Sequence, residues 1–289
     1  MKLSSDWHIH SRNSCDGACM VVADLVRDAA DKGIDDFGLT DHLHTPYNLP
    51  DVTASRREYD ACEPSPRFHF GIEVSSVSQW EIDEVATGRY EKPTYGVRQG
   101  GPAGGELAIG ITAEQLAEHG VEFVVGGTHW PMYVPFERMA IIADYHRQNM
   151  FLATHPLVDI VAHPWWWMGH WQADDKTYPA EPWFDDFGHV PAAMHDEFAA
   201  AAIETDTKVE INLSAMLLNR SYPSRFKEQY AEYLAGLKAA GVSLTIGSDC
   251  HGERYTIDFE TPARMLEAVG IDDHDLWRLP PRADRENAA

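Results

Sequence analysis

Nine side chains of metal-ligand type stand just beyond short apolar runs of this chain: His8, His10, Asp16, His42, Glu73, His129, His163, Asp249 and His251. The first two form His8-Ile9-His10, directly after the apolar opening of the chain. The last two form Asp249-Cys250-His251, directly after the run Val242-Ser243-Leu244-Thr245-Ile246. Imidazole nitrogen and carboxylate oxygen are the donors that zinc, manganese and iron accept. The set is too large for one ion. At about three or four protein ligands each, with one residue bridging, it suits a cluster of two or three ions.

Donors this far apart in sequence need an architecture that returns repeatedly to one place. Residues 21–32 carry Val22, Leu25, Val26 and Ala29 at helical spacing and stop at Gly33, a helix terminator. After the opening run, short apolar strands are predicted at 34–40, 68–74, 121–125, 158–162, 209–213 and 242–246. Helical patterns fill 136–151, 191–204, 223–240 and 260–269. Such alternation implies parallel β-α units. Seven units with polar residues always just past the strand imply a TIM-like α/β barrel, whose active site lies at the C-terminal strand ends. One domain is expected over 1–289.

Two segments break the rhythm, near 78–112 and 164–190, and both follow ligand-bearing strands. The first reads as a loop with a flexible centre at Gln99-Gly100-Gly101-Pro102-Ala103-Gly104-Gly105. The second is rich in Trp, Pro and Asp. Long loops in compact domains are commonly lids or binding loops. Trp165, Trp166 and Trp167 begin two residues past His163, so they are expected to wall the substrate pocket; packing on the barrel exterior is the alternative. Trp171, Trp183 and Phe184 extend the aromatic run, and 280–289 reads as a polar tail.

The 289 residues are 44% hydrophobic, enough to bury a large core. The formal charge of -23 comes without a basic stripe, which excludes nucleic acid and an anionic membrane as expected partners. A metal cluster would locally reverse the sign, so an anionic small molecule is compatible. Cys15, Cys19, Cys62 and Cys250 form no CxxC pair and no disulfide framework. No apolar leader precedes His8, and no run of about 18 apolar residues occurs. A cytoplasmic location is expected.

Singly, these ligand candidates are weak signals. Their order is the strong one: His8-Ile9-His10, Asp16, Thr40-Asp41-His42, Gly71-Ile72-Glu73, Gly127-Thr128-His129, Ala162-His163-Pro164, then Gly247-Ser248-Asp249-Cys250-His251. The set resembles the polymerase and histidinol phosphatase (PHP) superfamily of metal-dependent phosphoesterases over almost the whole chain. The resemblance implies a distorted (β/α)7 barrel with a trinuclear metal centre. It places one ion on His8, His10, Glu73 and Asp249, a second on Glu73, His129 and His163, and a third on Asp16, His42 and His251. Glu210-Ile211-Asn212 and Asn219-Arg220-Ser221-Tyr222-Pro223 look like the histidinol-phosphatase branch, which implies a phosphate contact at Arg220. That branch carries a second basic contact after the fifth strand, where this chain has Pro164-Trp165-Trp166-Trp167.

Three divalent ions would carry six positive charges against the three of Asp16, Glu73 and Asp249, and the remaining field lowers the pKa of a bridging water to about 7. The resulting hydroxide would attack the electrophile. Glu73, Asp249, His251 and Arg220 are the expected catalytic set. Arg12, Arg220 and Arg254 each follow a ligand strand and are candidates to clamp a phosphate through two hydrogen bonds; for Arg12 and Arg254 a surface ion pair is the alternative. Asp41, Asp159, Glu210 and His44 are read as caps, supports of the ligands or, for His44, a solvent-facing group. The leading function is a phosphomonoesterase acting on a small molecule with Mn, Fe or Zn. The alternative is a C–N or C–O hydrolase of amidohydrolase type on the same site, although no lysine stands at a strand end. Oligomeric state and substrate identity stay open.

Overall fold

The apolar runs fold as seven parallel strands: β1 (Ser5–Asp6), β2 (Asp36–Leu39), β3 (Phe68–Ser75), β4 (Phe123–Gly127), β5 (Ile160–Ala162), β6 (Lys208–Asn212) and β7 (Leu244–Gly247). The structure is a computed structural model and describes residues 1–167, 183 and 186–280. Each strand pairs in parallel with the next in sequence. The ring closes where the chain leaves β1 and β7. The Trp7 N–H donates to the Ile246 carbonyl at 2.9 Å, the Asp249 N–H to that of His8 at 2.7 Å, and the His10 N–H to that of Cys250 at 3.1 Å. Helices surround the nearly closed barrel: α1 (Val22–Lys32), α2 (Leu49–Ala61), α3 (Gln79–Ala86), α4 (Ala113–His119), α5 (Arg138–Thr154), α6 (Ala192–Thr205), α7 (Ser224–Ala240) and α8 (Glu260–Ala268).

Strand alternation divides the apolar residues between two cores. On β3, Phe70, Ile72 and Val74 join the large core between strands and helices, with Leu25, Leu39, Tyr145 and Leu234. The other face of β3 carries His69, Gly71, Glu73 and Ser75. Trp7, Phe123, Val125, Ile160 and Ala162 form a separate cluster, with Trp277 packed against it. Phe123 reaches across to β2 and β3: a Cβ built at Gly38 or Gly71 would stand 2.3 Å or 2.6 Å from its ring. These glycines leave room for the ring, which floors the barrel beneath the ligand-bearing strand ends.

Helices α1, α5, α6, α7 and α8 lie where apolar spacing predicts them, and α1 stops at Gly33 in the left-handed conformation at φ 69°. Helices α2 and α4 have no such signal. In α2 only Val52, Ser55 and Tyr59 are buried, too thin a stripe to stand out. The loop expected over 78–112 is corrected: it contains α3 and an antiparallel pairing of Val77–Ser78 with Leu107–Ala108. Its order comes from a small apolar cluster, in which Ile82 and Leu107 pack against Val77, Trp130 and Met132, and from polar contacts that carry no hydrophobic period. Ser78 caps α3 by accepting the Glu81 N–H at 3.1 Å. The buried Glu81 carboxylate accepts the Val97 N–H at 2.7 Å and the Tyr133 hydroxyl at 2.8 Å. Of the second insertion, Trp171 and Phe184 lie outside the described residues, as does the tail beyond Pro280. Among the described residues no helix is long and apolar enough to cross a membrane.

Gly71→Ala is expected to destabilise the fold by roughly 1–3 kcal/mol, because the added methyl meets the Phe123 ring inside a packed barrel. Denaturant midpoints measure it, and Phe123→Leu in the same chain should recover part of the loss.

Candidate metal centre

Glu73 is the hub. Its carboxylate is fully buried on the inner face of β3 and is met by imidazole nitrogens from four other strand ends. His42 Nδ1 lies 2.8 Å, His8 Nε2 3.0 Å and His10 Nε2 3.5 Å from Glu73 Oε2. His129 Nε2 and His163 Nε2 each lie 3.1 Å from Oε1. Asp249, just past β7, brings Oδ1 to 3.3 Å from His10 Nε2 and 3.7 Å from His8 Nε2. On the cavity side Asp16 Oδ2 is 3.4 Å from His42 Nε2 and pairs closely with His251 Nε2.

This donor set fits divalent ions. His8 Nε2 and His10 Nε2 face each other at 3.0 Å, so they share one hydrogen here and would both present lone pairs to an ion that displaced it. His42 Nδ1, His129 Nε2 and Asp16 Oδ1 are buried without hydrogen-bonding partners. Ligand atoms lie within 4.8 Å of one another in the groups His8–His10–Asp249, His8–Glu73–His163, His42–Glu73–His129 and His10–His42–His251. Gly127 keeps the centre open: a Cβ there would stand 2.6 Å from Glu73 Oε1.

A second layer aims the ligands. Glu210 Oε1 sits 2.7 Å from His8 Nδ1, so that ring presents Nε2 to the centre. Glu210 Oε2 accepts the His163 N–H at 2.7 Å and the Asn212 amide at 3.0 Å, and the same amide reaches Asp249 Oδ2 at 3.2 Å. Asp6 accepts the N–H groups of His8 at 3.1 Å and Ser248 at 2.8 Å, together with the Tyr255 hydroxyl at 2.5 Å. Asp41 accepts the Ser11 N–H at 2.5 Å and the hydroxyls of Ser11 and Ser55 at 2.6 Å. Asp159 accepts the Val124 N–H at 2.8 Å. His163 and Asp249 have φ values of 28° and 55°, a left-handed backbone that non-glycine residues hold only when their surroundings enforce it.

Protonation follows the same geometry. Burial raises the Glu73 pKa, but the charges of His42, His8 and His129 outweigh it and hold the carboxyl well below its ordinary range. Asp249 is likewise held low against burial, by His8 and His251. Burial opposes charge on His42, yet Glu73 and Asp16 lift it to about 10. Burial and the neighbouring rings His251 and His42 push His10 down to about 3. Burial takes His129 to about 4 despite Glu73. The acids are anions and His10 and His129 are neutral, as ligation requires, whereas His42 holds a proton that an incoming ion would displace.

The centre opens into a cavity of about 560 Å3 lined also by Tyr95, Trp166, Ser214, Leu218, Asn219 and Arg220. Of the expected substrate contacts, Trp166 and Arg220 reach this lining. Arg12, Arg254, Trp165 and Trp167 are corrected to other places. Arg12 donates to Glu58 at 3.1 Å, and Arg254 clamps Asp28 at 2.7 Å and 2.5 Å. Trp165 and Trp167 are buried in the main core, with their rings 5.8 Å and 6.0 Å from that of Trp183. Consecutive side chains diverge from a turning backbone, so the three tryptophans do not share one wall. His44 is the reverse case. It is buried and lines the cavity rather than facing solvent, as its place two residues past His42 could have indicated. Ser214 lacked a sequence signal; it lies within a π-helical turn, Leu213–Leu217, which Asn212 caps by accepting the Ala215 N–H at 2.8 Å, and Asn219 follows that turn at the head of the segment already singled out.

Glu210→Gln keeps the shape of the side chain but removes the charge behind His8. It is expected to weaken metal affinity about 10–100-fold, the usual effect of losing such a support. Competition with a chelator measures this, and circular dichroism checks that the fold is retained.

Comparison with known proteins agrees with the architecture. The chain is 25% identical over 285 residues to a protein described as a probable phosphatase from Shewanella piezotolerans, an alignment spanning 98% of this chain and 92% of that one. Among solved structures, a "putative histidinol phosphatase" from Listeria monocytogenes superposes with a TM-score of 0.54 at 13% identity, covering 86% of this chain and 95% of that one, which shows a shared fold. Residues 6–235 match the family model of the PHP domain. With that match across most of its length, the chain belongs to the PHP domain family of metal-dependent phosphoesterases.

Proposed function

We propose that this protein is a phosphomonoesterase for a small molecule, working with two to three ions of Mn, Fe or Zn. The carrying observation is the convergence of ligand side chains from six strand ends around Glu73, in a cavity where Arg220 supplies a cation. The distances support one ion on His8, His10, Glu73 and Asp249, a second on Glu73, His129 and His163, and a third on Asp16, His42 and His251. When bound, such ions polarise phosphoryl oxygens and acidify a coordinated water.

The chain's own residues do the rest. Glu73 bridges two of the ligand groups with one oxygen to each, so it fixes their spacing. Asp249 stays anionic between His8 and His10. His251 Nδ1 sits 3.0 Å from the Asp249 carbonyl, which directs Nε2 to Asp16 and the cavity. Arg220 binds the peripheral phosphoryl oxygens through its planar fork and offsets the charge that builds on them. Trp166 packs edge-on to His163 at 4.8 Å and forms an apolar wall that excludes water beside the centre. Among the described residues no lysine lines the cavity, which favours phosphoesters over the amidohydrolase-type alternative. The net charge of -23 favours a small substrate over nucleic acid.

Elemental analysis of purified protein should find two to three equivalents of Mn, Fe or Zn per chain; less than one after supplementation would contradict the cluster. Glu73→Gln should abolish turnover of the best phosphomonoester, and a variant keeping more than about a tenth of wild-type kcat would remove its bridging role. Arg220→Ala should lower kcat/KM by roughly 2–4 kcal/mol in barrier terms, the range for losing a charge-assisted contact to a transferring phosphoryl group. An unchanged value would shift belief to the amide-hydrolase alternative.

A further inference from the structure

The cavity holds one histidine more than the ion ligands account for. His44 is 2% exposed, and its ring stacks on that of His42 at 4.7 Å and packs 5.5 Å from those of Trp130 and Tyr95. His44 Nδ1 lies 2.6 Å from Ser75 Oγ, and the same oxygen lies 2.8 Å from His129 Nδ1.

The protons of this chain can be assigned in order. His129 turns Nε2 towards Glu73 without making a hydrogen bond, so that nitrogen presents a lone pair to the metal centre. A neutral ring with its lone pair on Nε2 carries its hydrogen on Nδ1. The His129 Nδ1–H therefore donates to Ser75 Oγ. A hydroxyl has one hydrogen, and because Ser75 Oγ has no other partner among the described residues, that hydrogen is left to donate to His44 Nδ1. His44 then carries its own hydrogen on Nε2. Among the described residues that N–H has no acceptor, although a buried donor without a partner costs about 1–3 kcal/mol.

We propose that His44 Nε2–H is a substrate-binding donor of this site, held in that tautomer by Ser75 and, through it, by the ligand His129, and that it grips a phosphoryl oxygen. The proposal rests on the phosphoesterase reading for the identity of the acceptor. The cavity would thus present an oxyanion with an imidazole donor as well as the guanidinium of Arg220. The ligand His129 would set the tautomer of a substrate contact without touching the substrate itself.

Nitrogen-15 NMR of histidine-labelled, zinc-loaded protein tests the tautomer without turnover. His44 should be neutral and protonated on Nε2, and in Ser75→Ala it should become a mixture; an Nδ1-protonated His44 in the wild type would overturn the proposal. Calorimetric titration with inorganic phosphate tests the contact. His44→Phe should bind phosphate roughly 10–100-fold more weakly, the loss expected for a hydrogen bond to a charged group, with metal content unchanged. His44→Gln, which keeps an N–H donor, should recover most of that affinity and guards against a folding defect in the Phe variant. In turnover the Phe variant should raise KM more than it lowers kcat. Wild-type phosphate affinity and KM in His44→Phe would overturn the proposal. A wild-type enzyme that hydrolyses no phosphoester would instead overturn the function reading and leave the NMR and phosphate titrations to decide the role of His44.

Discussion

One buried carboxylate organises this molecule. Glu73 sits in the dry interior of a barrel, where an uncompensated charge would be penalised by several kcal/mol. Five imidazoles surround it, and none is close in sequence. An architecture that sends successive strands past the same point meets that requirement. The parallel barrel does so, and most other features follow. The glycines facing Phe123 admit a ring beneath the site, Gly127 leaves space beside it, and Glu210 ties three strand ends together behind it.

The candidate metal ligands and the rest of the cavity wall occupy different kinds of backbone. Except for Asp16, in a turn past β1, the candidate ligands stand on strands or within a few residues of their ends, where ladder hydrogen bonds hold the backbone. The remaining cavity wall comes from connecting segments: Tyr95 from the first insertion, Trp166 from the start of the second, and Ser214 to Arg220 from the turn after β6. Chemistry and selectivity are thus separable. Changes in the insertions would alter which ester is accepted while the centre around Glu73 keeps its geometry.

The sequence revealed the centre more fully than its surroundings, for physical reasons. Glu73, His129 and His163 sit beside strong apolar runs, and it was their order along the chain, together with the other donors, that marked them as candidate ligands. Asp16, six residues past His10, became meaningful only in the company of the rest. Substrate contacts carry no such marker. Arg254 follows a ligand strand just as Arg220 does, yet Asp28 on α1 captures it, a pairing between positions 226 residues apart that no local pattern announces. The three tryptophans were indistinguishable as letters, and the backbone at Trp165, with φ 71°, separates their destinations. Helix α2 was hidden because its buried face is small, and α3 because polar capping rather than apolar spacing builds it.

Barrel closure gives the centre a place in time as well as in space. His8 and His10 come from the beginning of the chain and Asp249 and His251 from near its end, and they meet only where Trp7 and Ile246 hydrogen-bond. Loop closure over so long a separation is among the slowest kinds of contact to form. A nascent chain emerging from the ribosome can assemble the Glu73–His129–His163 portion well before the final strand arrives. The complete donor set therefore forms only once β7 docks beside β1, and that strand acts as a latch on the site.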